Sequence, residues 1–291
     1  MTARAKVASA AGAASGADVA SGGDVAPATR GRSFDAWAEE YDRYRPGYPA
    51  KLFRLIAERL GLPARPEVAD LGSGTGRAAL AMARLGWSVR AVEPGEPMLA
   101  VLRARAQGEG LSVSTRIGRA ESTGLQAASV DLVTAAQAFH WFDAQAALSE
   151  MARILRAGGG VALFWNVRDE ARSPVVAAYH RLLDRYTDDA GDRYLQAGRP
   201  GGRNPTRAAL AASREFGEPE LLTVRHEVAM RPADFIGMTF TASYVRALAP
   251  DRQAEFREAV LGVLAAHGVT GEEPFPVPYR VDLWVARRSA R

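Results

Sequence analysis

The stretch "EVADLGSGTGRAALAMARLGWSVRAVEP", Glu67 to Pro94, sets Asp70 ahead of Gly72, Gly74 and Gly76 and closes an apolar run with Glu93. Alternating glycines between a strand and a helix permit a sharp turn and let backbone come close to a ligand. Two ligand classes suit that geometry. A pyrophosphate would sit on the helix N-terminus, where amides and dipole favour an anion. Gly74-Thr75-Gly76-Arg77-Ala78-Ala79 does fit the looser dinucleotide form, with an acid about twenty positions on. Against this, a carboxylate at Asp70 repels a pyrophosphate and attracts a cation, and Arg77 fills the third-glycine place when the count starts at Gly72. A cationic ligand escapes that objection, and an NAD-type oxidoreductase is the rival reading.

The elements around this loop alternate. "EVADL", "WSVRAVE", "LSVSTRIG", "SVDLVTAAQ" and "GVALFWN" read as strands, with helices over 76–85, 96–106 and 144–155. Such alternation with short connections predicts parallel strands between layers of helix, with ligands bound outside the strand C-termini. Upstream, Phe34, Trp37, Tyr41 and Tyr44 recur at helical spacing until Arg45-Pro46, and Leu52, Leu55, Ile56 and Leu60 mark a second helix over 50–60. Beyond Asn166 come helix pieces over 170–213 with a Gly/Arg/Pro loop, a strand "ELLTVRHEVAM", helical stretches over 233–248 and 251–267, and a last strand "PYRVDLWVARR".

With these residues in order, the chain resembles the class I S-adenosylmethionine (SAM)-dependent methyltransferases. D-x-G-x-G-x-G at Asp70 to Gly76, "VEPGEPMLA", "GRAESTGL", "SVDLVTAAQAFHWFD" and "ALSEMARILRAGGGVALFWN" look like the family's successive motifs. "FDAWAEEYDRYRPGYP" is similar to the first helix of a type 11 subgroup that includes trans-aconitate methyltransferase-like proteins. The resemblance covers 33–166 well and the remainder loosely. It implies an α/β fold: a Rossmann-like, doubly wound, mostly parallel seven-stranded sheet with an antiparallel last strand. N-terminal lid helices over 33–65 and a helical insertion after strand five would complete it, with acceptor-side helices over 170–213 and 232–268.

The resemblance also implies roles. SAM is the cofactor and S-adenosylhomocysteine the product. Gly72, Ser73, Gly74 and Gly76 form the loop under it, with Gln137 at the fourth strand tip. Glu93, followed by Pro94, takes the ribose hydroxyls, which suits a carboxylate able to accept two charge-assisted hydrogen bonds. Asp70 holds the methionine ammonium, directly or through water. Met98 lies against adenine or belongs to ordinary core; Ala120 and Glu121 stand near the adenine amino group, or Glu121 is a helix-start carboxylate. Tyr41, Tyr44 and Arg45 form a lid, Arg45 suiting the cofactor's carboxylate, while Trp37 and Tyr44 serve equally as staples.

His140, in "QAFHWFD", is either a general base or an aromatic-wall residue that orients substrate. The remaining histidines, His180, His226 and His267, read as structural or exposed. Tyr44, Phe139, Trp141, Asn166, Arg168, Tyr179, Met238 and Tyr244 are candidate acceptor contacts, joined by Tyr194, Phe235 and Phe240 in an apolar, aromatic pocket or its packing. The acceptor is expected to be a small molecule, at oxygen, nitrogen or carbon.

Composition narrows the rest. The 291 residues are 47% hydrophobic, enough for a buried core, and contain no cysteine, which removes disulfides and thiolate metal sites. Four histidines without metal-ligand spacing, and Asp143 as the one acid beside His140, predict no metal. Basic and acidic residues, 37 and 33, are interspersed; without a clustered basic face, no nucleic acid is expected as partner. No apolar run approaches ~20 residues, so no membrane span is expected. The Ala/Gly/Ser-rich residues 1–32 read as a disordered tail without a signal-type apolar stretch, and the domain as 33–291. A cytoplasmic monomer or homodimer follows as the expectation. A SAM-fold protein that binds without turnover stays open as a non-enzymatic alternative.

Overall fold

The computed structural model describes residues 37–186 and 205–290. The expected tail over 1–32, Phe34, Tyr194 and most of the Gly/Arg/Pro loop lie outside the described residues.

Two helices precede the sheet, α1 (Ala38–Tyr44) and α2 (Ala50–Leu60). Arg45 turns extended at ψ 136°, as the residue before a proline should. Gly61 closes α2 in the left-handed conformation that glycine adopts without strain. Then follow β1 (Glu67–Leu71), α3 (Arg77–Arg84), β2 (Ser88–Glu93), α4 (Glu96–Gly108), β3 (Val113–Ile117), β4 (Val130–Ala136), α5 (Ala144–Ile154) and β5 (Leu155–Arg168). The second half holds α6 (Pro174–Tyr186), α7 (Pro205–Ala212), β6 (Glu220–Met230), α8 (Pro232–Phe240), α9 (Ser243–Arg246), α10 (Pro250–Ala266) and β7 (Phe275–Arg287).

The seven strands form one sheet in the order β3-β2-β1-β4-β5-β7-β6. β1 to β5 pair in parallel, and β7 runs antiparallel between β5 and β6. This is the Rossmann-like α/β architecture with one antiparallel strand. Burial on both faces explains the continuous apolar character of β1, whose Val68 to Leu71 are all buried. Successive side chains of β5 separate into two cores: Leu163 and Trp165 pack with Leu148 and Met151 of α5, whereas Ala162 and Phe164 pack with Leu52, Phe53, Leu80 and Leu102 of α2, α3 and α4. A third cluster joins α6, α8 and α10 to Met230, Val277 and Tyr279. It puts helical mass beside the C-terminal end of β5, where the acceptor side was expected.

Two boundaries differ from expectation for local reasons. The helix expected over 233–248 divides at Thr241, whose hydroxyl donates to the Met238 carbonyl at 2.6 Å and competes with the backbone ladder. β5 begins at Leu155, at the last residue of the helix expected over 144–155 and ahead of the expected strand "GVALFWN". Its pairing with β7 continues out to Arg168, opposite Tyr279.

Candidate active site

A cavity of about 250 Å³ opens at the C-terminal ends of β1, β2, β4 and β5, under the segment that leaves α1. Its floor is the loop after β1. The Gly72 amide donates to the Val92 carbonyl at 2.8 Å, which bends the chain as it leaves the sheet. Gly72, Gly74 and Gly76 all have positive φ, at 64°, 54° and 82°. Their surroundings differ. A Cβ at Gly72 would lie 2.7 Å from that of Ala138, and one at Gly76 would run into Leu102, yet one at Gly74 would meet nothing within 4 Å. Gly72 and Gly76 therefore serve packing, and Gly74 leaves open the space beside the cavity.

Glu93 ends β2 at 8% exposure and lines the cavity. One carboxylate oxygen accepts from the Gly74 amide at 3.0 Å, the other from the Gly95 amide at 3.1 Å. An ionised carboxylate offers about four acceptor positions, so these bonds fix its orientation without exhausting it. Asp70 is placed differently. Fully buried at the tip of β1, it accepts from the Thr134 hydroxyl at 2.6 Å and stands beneath the loop, off the cavity wall. Its Oδ2, Ser73 Oγ and Thr75 Oγ1 are buried without a hydrogen-bond partner among the described residues. A loop with unmatched polar atoms and an open glycine suits a ligand bearing an ammonium and hydroxyls, which SAM does; Asp70 would reach such an ammonium through an intervening water or a loop shift.

Burial, with a smaller push from Glu93, raises the Asp70 pKa to about 7 against the pull of Thr134 and the Ala79 amide. The native state thus holds a proton that the unfolded chain, with an ordinary aspartate near ~4, releases at lower pH. The stability this group contributes is complete below ~4 and is lost as pH rises through about 7. Asp70→Asn removes that loss. Its melting temperature relative to the wild type should be near zero difference at pH 4 and higher by several degrees at pH 8.5, read by thermal unfolding of ligand-free protein. A difference that does not change with pH would contradict this account.

Gln137 follows β4 with φ 57°, unusual for a residue with a side chain, and lines the cavity. Backbone strain of this kind is tolerated where function needs a side chain aimed. The next turn, Phe139–Trp141, carries His140 on the cavity wall. The indole N–H of Trp165 donates to His140 Nδ1 at 3.3 Å. That bond selects the neutral tautomer with its proton on Nε2, a hydrogen-bond donor and not a proton acceptor. Desolvation by the surrounding protein pushes the pKa of His140 down to about 4. The residue is exposed along the cavity. His140 is neutral at pH 7 and arranged to donate.

Of the cofactor-side candidates, Tyr41, Arg45, Gly72, Gly74, Glu93, Pro94, Met98 and Gln137 line the cavity. Arg45 lies over the Tyr41 ring, 5.2 Å from its centroid, and its Nε donates to Thr241 at 2.8 Å, which ties the N-terminal lid to α8. Asp70, Ser73 and Gly76 are buried and do not line the cavity. Ala120 and Glu121 are not brought to the wall: Ala120 is buried in the β1–β4–α5 core, and Glu121 accepts the Asp143 amide at 2.9 Å and pairs with Arg119 at 3.3 Å. No helix starts at Glu121; its carboxylate reaches the residue that precedes α5 instead.

On the acceptor side Trp141, Asn166, Arg168, Met238 and Tyr244 line the cavity, while three candidates do not. Phe139 is buried in the core at 4% exposure. Tyr179 is buried beneath Arg168, whose guanidinium stands 4.6 Å from its ring centroid. Tyr44 packs edge-on against α8, where a Cβ on Gly237 would come within 2.6 Å of its ring. Asn166 donates to the Gly47 carbonyl at 3.0 Å and bonds His226 at 2.9 Å, a second tie between lid and sheet. Phe142, the last residue of the aromatic segment around His140, lines the cavity as well, and Tyr279 is a wall residue that was not anticipated. Tyr279 carried a signal: it sits on the buried face of an alternating strand, beside Val277 and Val281. Among the described residues no group of three or more His, Asp or Glu could hold a metal, and no helix is long and apolar enough to cross a membrane.

A family model described as a methyltransferase domain matches residues 69–163, the span from β1 to β5 with the glycine loop, Glu93 and His140. An uncharacterized methyltransferase of Mycobacterium tuberculosis is 39% identical over 162 residues, 55% of this chain and 63% of that relative. The chain thus spans less than two thirds of that relative's length. A ubiquinone biosynthesis O-methyltransferase of Acinetobacter baumannii is 31% identical over 162 residues, covering 53% of this chain and 68% of its own. Among solved structures, that of a candidate type II methyltransferase from Anaeromyxobacter dehalogenans superposes with a TM-score of 0.61 at 29% identity, over 84% of this chain and 98% of the other.

Proposed function

The chain belongs to the class I S-adenosylmethionine-dependent methyltransferases, and from that premise we propose that it methylates a small molecule held between the glycine loop and the β5–α8 wall. One observation carries the cofactor assignment: Glu93, oriented by the Gly74 and Gly95 amides, faces a cavity whose floor at Gly74 is open. Its remaining acceptor positions suit the two ribose hydroxyls. Pro94 and Met98 line the same side and would flank the adenine. Arg45 would take the carboxylate, and Asp70 the ammonium.

Bound SAM would supply an electrophilic methyl on a sulfonium, with a neutral thioether as the leaving group. The chain's own contribution is position. Gln137 and the 139–142 turn stand at the tip of β4, beside the loop, where donor and acceptor would meet. Holding two reactants in line is worth up to ~7–11 kcal/mol, so methyl transfer needs little else from the protein. His140, with Nε2 protonated, would orient the acceptor by donating to it. Tyr41 and Arg45, tied to Thr241, would exclude water.

A small acceptor fits a cavity roofed by the lid and walled by Trp141, Phe142, Met238 and Tyr244. The Acinetobacter relative, named an O-methyltransferase, supports oxygen first among acceptor atoms. With no clustered basic face in the sequence, the partner is a small molecule and not a nucleic acid, and the protein acts as a monomer or homodimer in the cytoplasm.

Calorimetry on the full chain tests the cofactor: S-adenosylhomocysteine should bind at micromolar concentration and NAD should not, and the reverse would defeat the proposal. Cell extracts incubated with SAM and enzyme should yield a species heavier by about 14 Da, and SAM binding without any such product would favour a binding-only protein. His140→Ala tests the mechanism on that acceptor. Loss of a general base costs ~10²–10⁴-fold; the expected loss is below about tenfold, with no new inflection between pH 6 and 9.

A further inference from the structure

Arg168, at the end of β5, is placed unlike three other arginines nearby. Arg172 pairs with Glu227, Arg225 with Asp169 and Arg280 with Asp282. Arg168 makes no ion pair among the described residues, although it is only partly exposed and lines the cavity. Its guanidinium lies 4.6 Å from the Tyr179 ring centroid, and Nη1 approaches Met238 Sδ at 3.9 Å. Tyr244 hydrogen-bonds it, and Tyr279, its register partner on β7, donates its hydroxyl to the same sulfur at 3.1 Å. Burial alone would lower its pKa; the three tyrosines outweigh burial and raise it, so the charge is permanent.

Cations removed from water ordinarily meet an anion. Here aromatic faces, a thioether and a hydroxyl hold the side chain in place and leave its charge uncompensated. The one carboxylate lining the cavity is Glu93 on β2, three strand spacings from β5 in the sheet, or ~14 Å. A guanidinium has more donors than these contacts use, in a planar fork that matches a carboxylate.

We propose that Arg168, framed by Tyr179, Tyr244 and Tyr279, is the subsite for a carboxylate on the methyl acceptor. This rests on the methyltransferase assignment and names the class of acceptor. A monoanion matches the single charge; a phosphate dianion would bring excess negative charge into a half-buried site. The neighbouring Trp141 and Phe142 suit a flat apolar body on that carboxylate.

Benzoate and its neutral counterpart benzamide probe the site on the full chain saturated with S-adenosylhomocysteine. Benzoate should bind at least about tenfold more tightly than benzamide, and Arg168→Gln should abolish the difference while its affinity for S-adenosylhomocysteine stays within about twofold. Equal binding of the two probes to the wild type, absence of benzoate binding, or a preference that survives Arg168→Gln overturns the proposal. A large loss of S-adenosylhomocysteine affinity in Arg168→Gln assigns the arginine to the cofactor's carboxylate and also overturns it. Wild-type protein that binds no S-adenosylhomocysteine at all overturns the methyltransferase assignment itself, a separate outcome. Should Arg168→Gln not fold, Tyr244→Phe substitutes: benzoate should weaken several-fold with benzamide unchanged, and an unchanged benzoate affinity counts against the subsite.

Discussion

Glu93→Ala should weaken S-adenosylhomocysteine binding by at least about 100-fold. The carboxylate would accept two ribose hydroxyls, and hydrogen bonds to a charged group are worth ~1.5–3 kcal/mol each. Losing both costs ~3–6 kcal/mol, and each ~1.4 kcal/mol is tenfold in affinity. The same substitution strips the Gly74 and Gly95 amides of their acceptor. Some stability goes with them, ~1–3 kcal/mol for a buried donor left unmet. Affinity is therefore measured by calorimetry at a temperature where a melt shows the variant folded. Glu93→Gln separates the contributions: its carbonyl can keep one amide, its NH₂ opposes the other, and one ribose hydroxyl loses its acceptor. It should fall between wild type and Glu93→Ala in both affinity and stability. A folded Glu93→Ala with undiminished affinity would remove Glu93 from the cofactor site and leave the glycine loop unexplained.

Much of this arrangement was legible because it is local. The three glycines, Asp70 and Glu93 sit on one strand–loop–helix–strand unit, and the parallel register that sets Asp70 beside Ala91 of β2 follows once β1 and β2 are neighbours. Strand limits were equally readable where apolar runs end on turn residues, as for Glu220–Met230. What could not be read depends on which side of a residue the chain packs. Asp70 and Glu93 look equivalent as acids at strand tips, yet one is turned under the loop to Thr134 and the other toward the cavity. Glu121 is taken up by the amide of Asp143, a partner 22 positions away. The tautomer of His140 is set by Trp165, 25 residues on in a different strand, so no local pattern distinguishes base from donor. The Arg168–Tyr279 juxtaposition needs the antiparallel pairing of β5 with β7 across more than a hundred residues.

Gly76→Ala should be the most damaging change in the glycine loop for stability, and Gly74→Ala much milder, although both put one methyl at a positive φ. At Gly76 the left-handed backbone, φ 82°, alone costs ~1–3 kcal/mol for a residue with a side chain. The added Cβ also meets Leu102, which is fully buried against α2 and α3 and cannot swing aside without disturbing that core. Overpacking of this kind adds ~1–3 kcal/mol. Together they come to ~2–6 kcal/mol, a large share of the ~5–15 kcal/mol that a folded domain possesses. Gly74→Ala carries only the conformational term, ~1–2 kcal/mol, because nothing stands within 4 Å of its Cβ. For binding the order reverses. The methyl at Gly74 enters the open floor beside Glu93, where the cofactor would lie, whereas the methyl at Gly76 points into protein. Urea unfolding should rank Gly76→Ala below Gly74→Ala, and calorimetry on folded protein should give Gly74→Ala the weaker affinity for S-adenosylhomocysteine. Opposite rankings in the two measurements are the signature of one glycine kept for packing and the other for a ligand; a single ranking in both would mean that the loop serves the fold alone.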